Sequence, residues 1–380
     1  MRYHTPWRSA STVMWGFLAR ESEAPGIIVR NDVTGTITWE SPGSEKARQF
    51  FWEVRSLNMQ NLFVTGATGF VGRNLLIRAS REGIPVLAPV RNREKLFACL
   101  DEDGIARGVV TAFSPEPAEW NAVSPSHAVL GAGVLFARSR AEYFSTNVEW
   151  TLRILRALPP ECRTVVLSSQ SAGGATPDGR QARSEQDADA PLTWYGESKR
   201  ALEQAIVREF PDRPIRILRP PMILGARDAA TLPLFKMARS LVRTKPGLRR
   251  KEFSFLGVED VVAAVYAAFD LRERGPFYIG SEKPISDFDL IESAARAIGG
   301  HGITLPVPLP VVRLMAAVVD AVPSLRAAVP SLTRDRAREI WADRWVVNSE
   351  KFRQQTGWRP TVSLDEALLS ACRYFQTHGL

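Results

Sequence analysis

Of 380 residues only three are cysteine, Cys99, Cys162 and Cys372, and no two of them stand at CxxC spacing. His4, His127, His301 and His378 are equally scattered. The chain therefore offers neither a disulfide framework nor a structural zinc site, and a reducing cytoplasm is the expected setting. Long apolar runs are also missing. The most apolar stretch, Leu305 to Val322, is broken by Pro306, Pro308, Pro310, Arg313 and Asp320. It falls short of the roughly 20 apolar residues that span a bilayer, so no transmembrane segment is expected. The first thirty residues do not run from charge through an apolar core to a small-residue cleavage site, which argues against a secretory signal. No fixed internal period recurs, excluding solenoids and propellers. Glycine and proline, 26 of each, are spread along the chain, excluding collagen-like and low-complexity readings.

What is present is an ordinary globular composition, 45% hydrophobic and 24% charged, enough for one large domain or two intimate ones. The formal net charge is +8, and the first 58 residues, with seven basic and six acidic side chains, carry little of it. The densest basic run is Arg243, Lys245, Arg249, Arg250 and Lys251. It suits either a solvated loop or a site for phosphate, an acidic lipid or nucleic acid.

From Met1 to Asn58 no helical or strand period is sustained, and the segment reads as an N-terminal extension, disordered or belonging to an upstream start, with Met59 as the natural beginning. At Leu62-Phe63-Val64 an apolar strand begins, followed by glycines and an amphipathic helix containing Val71, Leu75, Leu76 and Ile77. Strand-like runs at Pro85–Val90, Ala128–Leu130, Val165–Leu167 and Ile215–Leu218 alternate with helical patterns such as Asn147–Leu158. That alternation predicts an α/β fold, a doubly wound parallel sheet with helices on both faces, over residues 59–220. Residues 221–380 are expected to form a smaller substrate-binding region, with 253–280 returning to the core. A Pro-rich strip lies at Leu305–Pro310, and Leu364–Phe375 reads as a closing helix.

Thr65-Gly66-Ala67-Thr68-Gly69-Phe70-Val71-Gly72 puts three glycines between that first strand and its helix. The first glycine permits the tight turn, the second lets main chain approach a pyrophosphate, and the third allows strand and helix to pack closely. About 20 residues on, where an acid would bind the ribose of NAD, stands Arg91, which favours NADP(H) over NAD(H). Tyr195 and Lys199 are four apart and share a helix face. A phenol beside a cation becomes a workable acid or base. Val165-Val166-Leu167-Ser168-Ser169-Gln170 reads as a buried strand delivering hydroxyls to the carboxyl edge of the sheet.

With these motifs the chain resembles the extended short-chain dehydrogenase/reductases of the NAD-dependent epimerase/dehydratase type, from Met59 to the C-terminus. Further similar stretches are Ala132-Gly133, Asn147 in its TNVEWT run, Leu218-Arg219-Pro220-Pro221 with Gly225, Gly257-Val258-Glu259-Asp260, and Thr356-Gly357-Trp358-Arg359-Pro360. The resemblance implies a Rossmann domain closed by a C-terminal region. Ser169 would orient a substrate oxygen and Tyr195 would exchange its proton, while Lys199 would hold the nicotinamide ribose and lower the pKa of the tyrosine. The turn residues Gly66, Thr68, Gly69, Phe70, Val71 and Gly72, with Arg91, Ala132, Gly133 and Pro220, would bind the cofactor.

Where nucleotide-sugar epimerases carry an Asn and an Arg for the diphosphate, this chain has Met222 and Phe253, and the family's YG pair has become Gly173-Gly174. In this the chain is more similar to 3β-hydroxysteroid dehydrogenase-like and dihydroflavonol reductase-like members. The expected activity is hydride transfer between nicotinamide and a carbonyl or secondary alcohol of a moderately apolar small molecule, with Phe136, Gln170 and Met222 as pocket walls. The alternatives are a nucleotide-sugar epimerase or dehydratase with internally recycled cofactor, and a non-catalytic dinucleotide-binding protein. No metal and no nucleic acid are expected, and the family likeness makes a homodimer reasonable.

Overall fold

The computed structural model describes residues 59–378, apart from 118–119, 121–123, 323 and 326–332, and before them only the strands Ile28–Asn31 and Ile37–Glu40. Those two pair antiparallel, Ile28 opposite Glu40 and Asn31 opposite Ile37. The sequence of this extension sustains no strand period, yet these two strands pair within it. The rest of the extension, and with it the expectation of disorder or an upstream start, lies outside the described residues.

In the main body, seven strands form one sheet: β1 (Leu62–Thr65), β2 (Val86–Pro89), β3 (Val110–Phe113), β4 (His127–Leu130), β5 (Arg163–Leu167), β6 (Ile215–Arg219) and β7 (Gly275–Tyr278). Their order is 3-2-1-4-5-6-7, every neighbouring pair parallel. This is a Rossmann-like sheet, and its order reverses between β1 and β4, where ligands of such sheets bind. β1, β4 and β6 are buried along their whole length because helices cover both faces, and β1 is written as an apolar run rather than as alternation, whereas β6 also buries Arg216 and Arg219. β3 left no such signal: it is an edge strand in which only Val110 is buried.

One core cluster joins Phe63, Leu130, Val166 and Ile217 of the sheet to Leu152, Leu155 and Leu202 of the helices on one face. A second core belongs to the C-terminal region, uniting Leu224, Phe235, Phe255, Ala294 and Leu368. There the strand Met222–Leu224 pairs in parallel with Phe255–Gly257. Between these pieces and the closing helix Leu364–Thr377, the chain returns to the first body. The helix Val258–Ala268 and the strand β7 pass back to the sheet, β7 pairing with β6.

The basic run is not a uniformly solvated loop. Arg243 and Lys245 alternate with outward residues on the strand Val242–Pro246 and are buried. Lys245 meets Asp287 at 2.7 Å, and Arg243 meets Glu292 at 3.2 Å and the Gly300 carbonyl at 3.0 Å. Lys251 is also buried, whereas Arg249 and Arg250 are exposed.

Candidate active site

At the carboxyl end of β5 the two serines part. Ser168 is buried and its hydroxyl donates to Glu203, itself locked to Arg219. Arg219 also holds both oxygens of Asp189, at 2.7 and 2.9 Å, and the Tyr278 hydroxyl at 2.9 Å. These ion pairs drive the guanidinium pKa up against the opposing effect of burial. Gly173 is where this network needs room, since a Cβ there would overlap the Tyr278 hydroxyl. Ser169 faces the other way. It caps the single-turn helix Gln170–Gly173, accepting from the Ser171 N–H at 3.1 Å, and is hydrogen-bonded to the Tyr195 phenol.

Tyr195 lies in the first turn of the helix Trp194–Glu209, whose N-cap Thr193 accepts from the Gly196 N–H at 3.2 Å. One turn on, Lys199 donates to the Leu167 carbonyl at 2.9 Å, and its nitrogen is 6.0 Å from the centre of the Tyr195 ring. Burial lowers the Lys199 pKa to about 8, although Glu203 pulls it upward. Burial likewise raises the pKa of Tyr195, opposed by the Ser169 bond and then by the positive charge of Arg336. Two cations thus flank the phenol ring, Arg336 at 5.3 Å and Lys199 at 6.0 Å from its centre.

Arg336 left no mark in the sequence pattern. It belongs to the helix Arg334–Trp341, which docks on the start of the Tyr195 helix. Asp335 accepts from the Trp194 N–H at 3.2 Å, and Glu339 accepts from the Thr193 hydroxyl at 2.9 Å. The Arg336 guanidinium, 3.2 Å from Glu339, lies 5.3 Å from the Tyr195 ring centre and 5.4 Å from that of Phe136. Tyr143 adds a third ring, 6.2 Å from Tyr195, with its hydroxyl donating to the Leu135 carbonyl at 3.0 Å. A cavity of about 280 Å³ opens beside them, lined by Tyr143, Trp194, Asp320, Asp335 and Arg338.

The glycine side is made of backbone. Gly66 has φ +75°, a conformation open to glycine, and a Cβ on Gly72 would overlap the Gly66 carbonyl. Gly69 is the N-cap of the twelve-residue helix Phe70–Arg81, which has no side-chain cap and no acid in its first turn. Those open N–H groups at the positive end of the helix fit a pyrophosphate. The Ala132 N–H donates to the Thr65 hydroxyl at 3.1 Å, which closes the β4 turn against the β1 turn. Gly133 lies under Asn147 and Lys199, where a Cβ would be 2.9 Å from the Asn147 amide oxygen. Asn147 sits in a π-helical turn, Ser145–Glu149, and ties both halves of the site together. Its amide oxygen accepts from the Val134 N–H at 2.8 Å, and its nitrogen donates to the Ser198 hydroxyl at 3.0 Å.

The structure thus brings Ser169, Tyr195, Lys199, Phe136 and Gly133 together. Gln170 follows Ser169, is buried, and has a side-chain nitrogen without a hydrogen-bond partner. Its N–H donates to the Pro220 carbonyl at 2.8 Å. Arg91 is exposed just past β2. Met222 instead packs against the C-terminal core, and Phe253 sits in a short strand opposite Ile285 and Trp345. Among the described residues no group of His, Cys, Asp or Glu could hold a metal, and no helix is long and apolar enough to cross a membrane.

Residues 62–280 match the family described as NAD dependent epimerase/dehydratase. A protein of Synechocystis sp. provisionally named dihydroflavonol 4-reductase is 26% identical over 329 residues, 83% of this chain and 95% of the relative. The ceramide reductase of Caulobacter vibrioides is 25% identical over 300 residues, 75% of this chain and 86% of that one. The solved structure of MoeE5 in complex with UDP-glucuronic acid and NAD is similar in fold, with a TM-score of 0.62 at 20% identity, covering 84% of this chain and 99% of that one.

Proposed function

Since this chain belongs to the NAD-dependent epimerase/dehydratase family of extended short-chain dehydrogenase/reductases, we propose that it is an NADP(H)-dependent oxidoreductase interconverting a carbonyl and a secondary alcohol on a moderately apolar small molecule. The observation that carries this reading is the Tyr195 phenol, hydrogen-bonded to Ser169 and set among the rings of Tyr143 and Phe136 with Arg336 between. Two relatives are named for the reduction of a dihydroflavonol and of a ceramide, and in sequence Met222 and Phe253 stand where nucleotide-sugar epimerases carry an Asn and an Arg.

A bound nicotinamide dinucleotide supplies or takes up the hydride. Its pyrophosphate would be held by the main chain of Gly66, Thr68, Gly69, Phe70, Val71 and Gly72, and Arg91 would meet a 2′-phosphate. Ala132, Gly133, Pro220 and Lys199 would hold the nicotinamide end. Burial keeps the Tyr195 phenol protonated, so in the reducing direction it is an acid ready to give its proton to the carbonyl oxygen. Ser169 donates a second hydrogen bond to that oxygen and fixes its position. The phenolate left behind is stabilised by the Arg336 charge, and the buried Lys199 keeps a proton within one helical turn. Gln170, with a buried and unpartnered donor, would take a polar atom of the substrate.

The test is titration of the full chain with NADPH and NADH, followed by absorbance of the reduced nicotinamide during addition of apolar ketones and aldehydes or of nucleotide sugars. Net oxidation of NADPH by an apolar carbonyl is expected. Tyr195→Phe should lose turnover by about 10²–10⁴-fold while binding NADPH as before. Conversion of a nucleotide sugar without net oxidation would replace this reading by the epimerase one.

A further inference from the structure

The strand Val242–Pro246 and its parallel partner Ile303–Val307 bury Arg243 and Lys245 on one face and turn Val242, Ile303 and Leu305 outward on the other. Proline 308 then leads directly into the helix Leu309–Ala321. That helix is two-sided. Val312, Ala316 and Val319 are buried, while Val311, Leu314, Met315 and Val318, at i, i+3, i+4 and i+7, form an exposed apolar stripe, Leu314 being 67% exposed. Leu241, 77% exposed, and Leu248, 68% exposed, continue the patch at the two ends of the first strand. Most of the large exposed apolar side chains among the described residues are gathered in this one region. Scattered exposure needs no explanation, whereas a gathered patch marks a contact surface.

The chain segment that flanks the patch is basic. From Ala229 to Lys251 there are seven Lys and Arg and no Asp or Glu. Of these, Lys236, Arg239, Arg249 and Arg250 are exposed beside Leu241 and Leu248. The ion pairs of Arg249 with Asp343, at 3.5 Å, and of Arg250 with Asp289, at 3.4 Å, are exposed and loose. A second copy seated on the same face about a two-fold axis would set this basic rim against its own image. An apolar stripe framed by cations fits an anionic membrane surface.

We propose that this face, the helix Leu309–Ala321 with the outer side of its preceding strand pair, lies on an anionic lipid surface without crossing it. The same helix reaches the cavity beside the Tyr143 and Tyr195 rings, where Asp320 lines it with Tyr143 and Trp194. Docking would set the cavity mouth beside the bilayer, the source from which an apolar carbonyl substrate is drawn. That last step rests on the proposed reductase activity, whereas the docking does not.

The experiment is flotation of the full chain with vesicles of phosphatidylcholine alone and of phosphatidylcholine with phosphatidylglycerol, without substrate or cofactor. Binding is expected to the anionic vesicles and to fall at least tenfold on neutral ones, as the exposed cations add about fivefold each near the surface. Leu314→Glu with Val318→Glu should abolish flotation, and Arg249→Glu with Arg250→Glu should restrict it to vanishingly little, both with unchanged circular dichroism and NADPH binding. Failure to float with either vesicle, or flotation untouched by the Leu314/Val318 pair, overturns the proposal. So does a dimer, measured by sedimentation, that the same pair dissociates in the absence of vesicle binding. Because NADPH binding is read separately, loss of the reductase reading and loss of docking are distinguishable.

Discussion

The two sides of the site are built from different materials. Around Gly66–Gly72 and Gly131–Gly133 the candidate site is made of main chain packed so closely that a single Cβ collides with a neighbouring carbonyl or amide. Around Tyr195 the surface is made of side chains, from Ser169, Phe136, Tyr143 and Arg336, positioned by hydrogen bonds and ion pairs between distant segments. The first side should fail by volume and the second by charge. The difference teaches that one pocket has two kinds of fragility.

The strongest way to sharpen that contrast is Arg219→Leu. It leaves Glu203 buried without its cation under Ser168 and Asp189 with only Arg200, at 3.8 Å, and a loss of about 3–5 kcal/mol in denaturant unfolding is expected. Adding Glu203→Leu should recover part of it; no recovery would mean that shape, not charge, governs this side. Gly72→Ala comes next, with an expected loss of about 1–3 kcal/mol from overpacking against Gly66. Weakened NADPH binding should accompany it. An alanine variant with wild-type melting temperature and affinity would break the comparison.

Arg336→Met should act on neither fold nor NADPH affinity but on the pH–rate profile of alcohol oxidation. With its charge gone the phenol loses a proton less readily, so the ascending limb moves to higher pH. A limb that stays in place while Lys199→Met moves it would return the electrostatic role to Lys199. An effect that leaves neutral pH untouched concerns His127 on β4, whose pKa burial lowers to about 4. The unfolded chain takes up this proton below about 6.5 and the folded one only near 4. Stability is therefore full above that window and falls as pH drops through it. His127→Gln should flatten this slope in melts from pH 7 to 4.

The same contrast explains what could be read from the sequence. Gly66, Gly69 and Gly72 are legible because only glycine meets the steric demand, and Tyr195 and Lys199 because a local helical spacing joins them. Ser169 is set apart from Ser168 by the family resemblance, and what separates them physically is direction, which one residue of strand register decides. Asp335 reaches the Trp194 N–H from 141 residues away, and no local period announces such a contact. Arg336, carried on the same turn, was hidden for that reason. The basic run looked uniform in sequence, but strand alternation buries Arg243 and Lys245 and leaves Arg249 and Arg250 outside. Val110–Phe113 escaped because an edge strand has little apolar content to show.

The path of the chain between its two cores has a practical corollary. After Arg219 the backbone leaves the sheet, comes back for Val258–Ala268 and β7, and leaves again toward Leu364–Thr377. The C-terminal region is consequently not a module that can be cut out at one joint. A chimaera that exchanges specificity with a relative needs two inserts and matched splice points flanking β7, and a nick at any one crossing leaves the halves still tethered by the others.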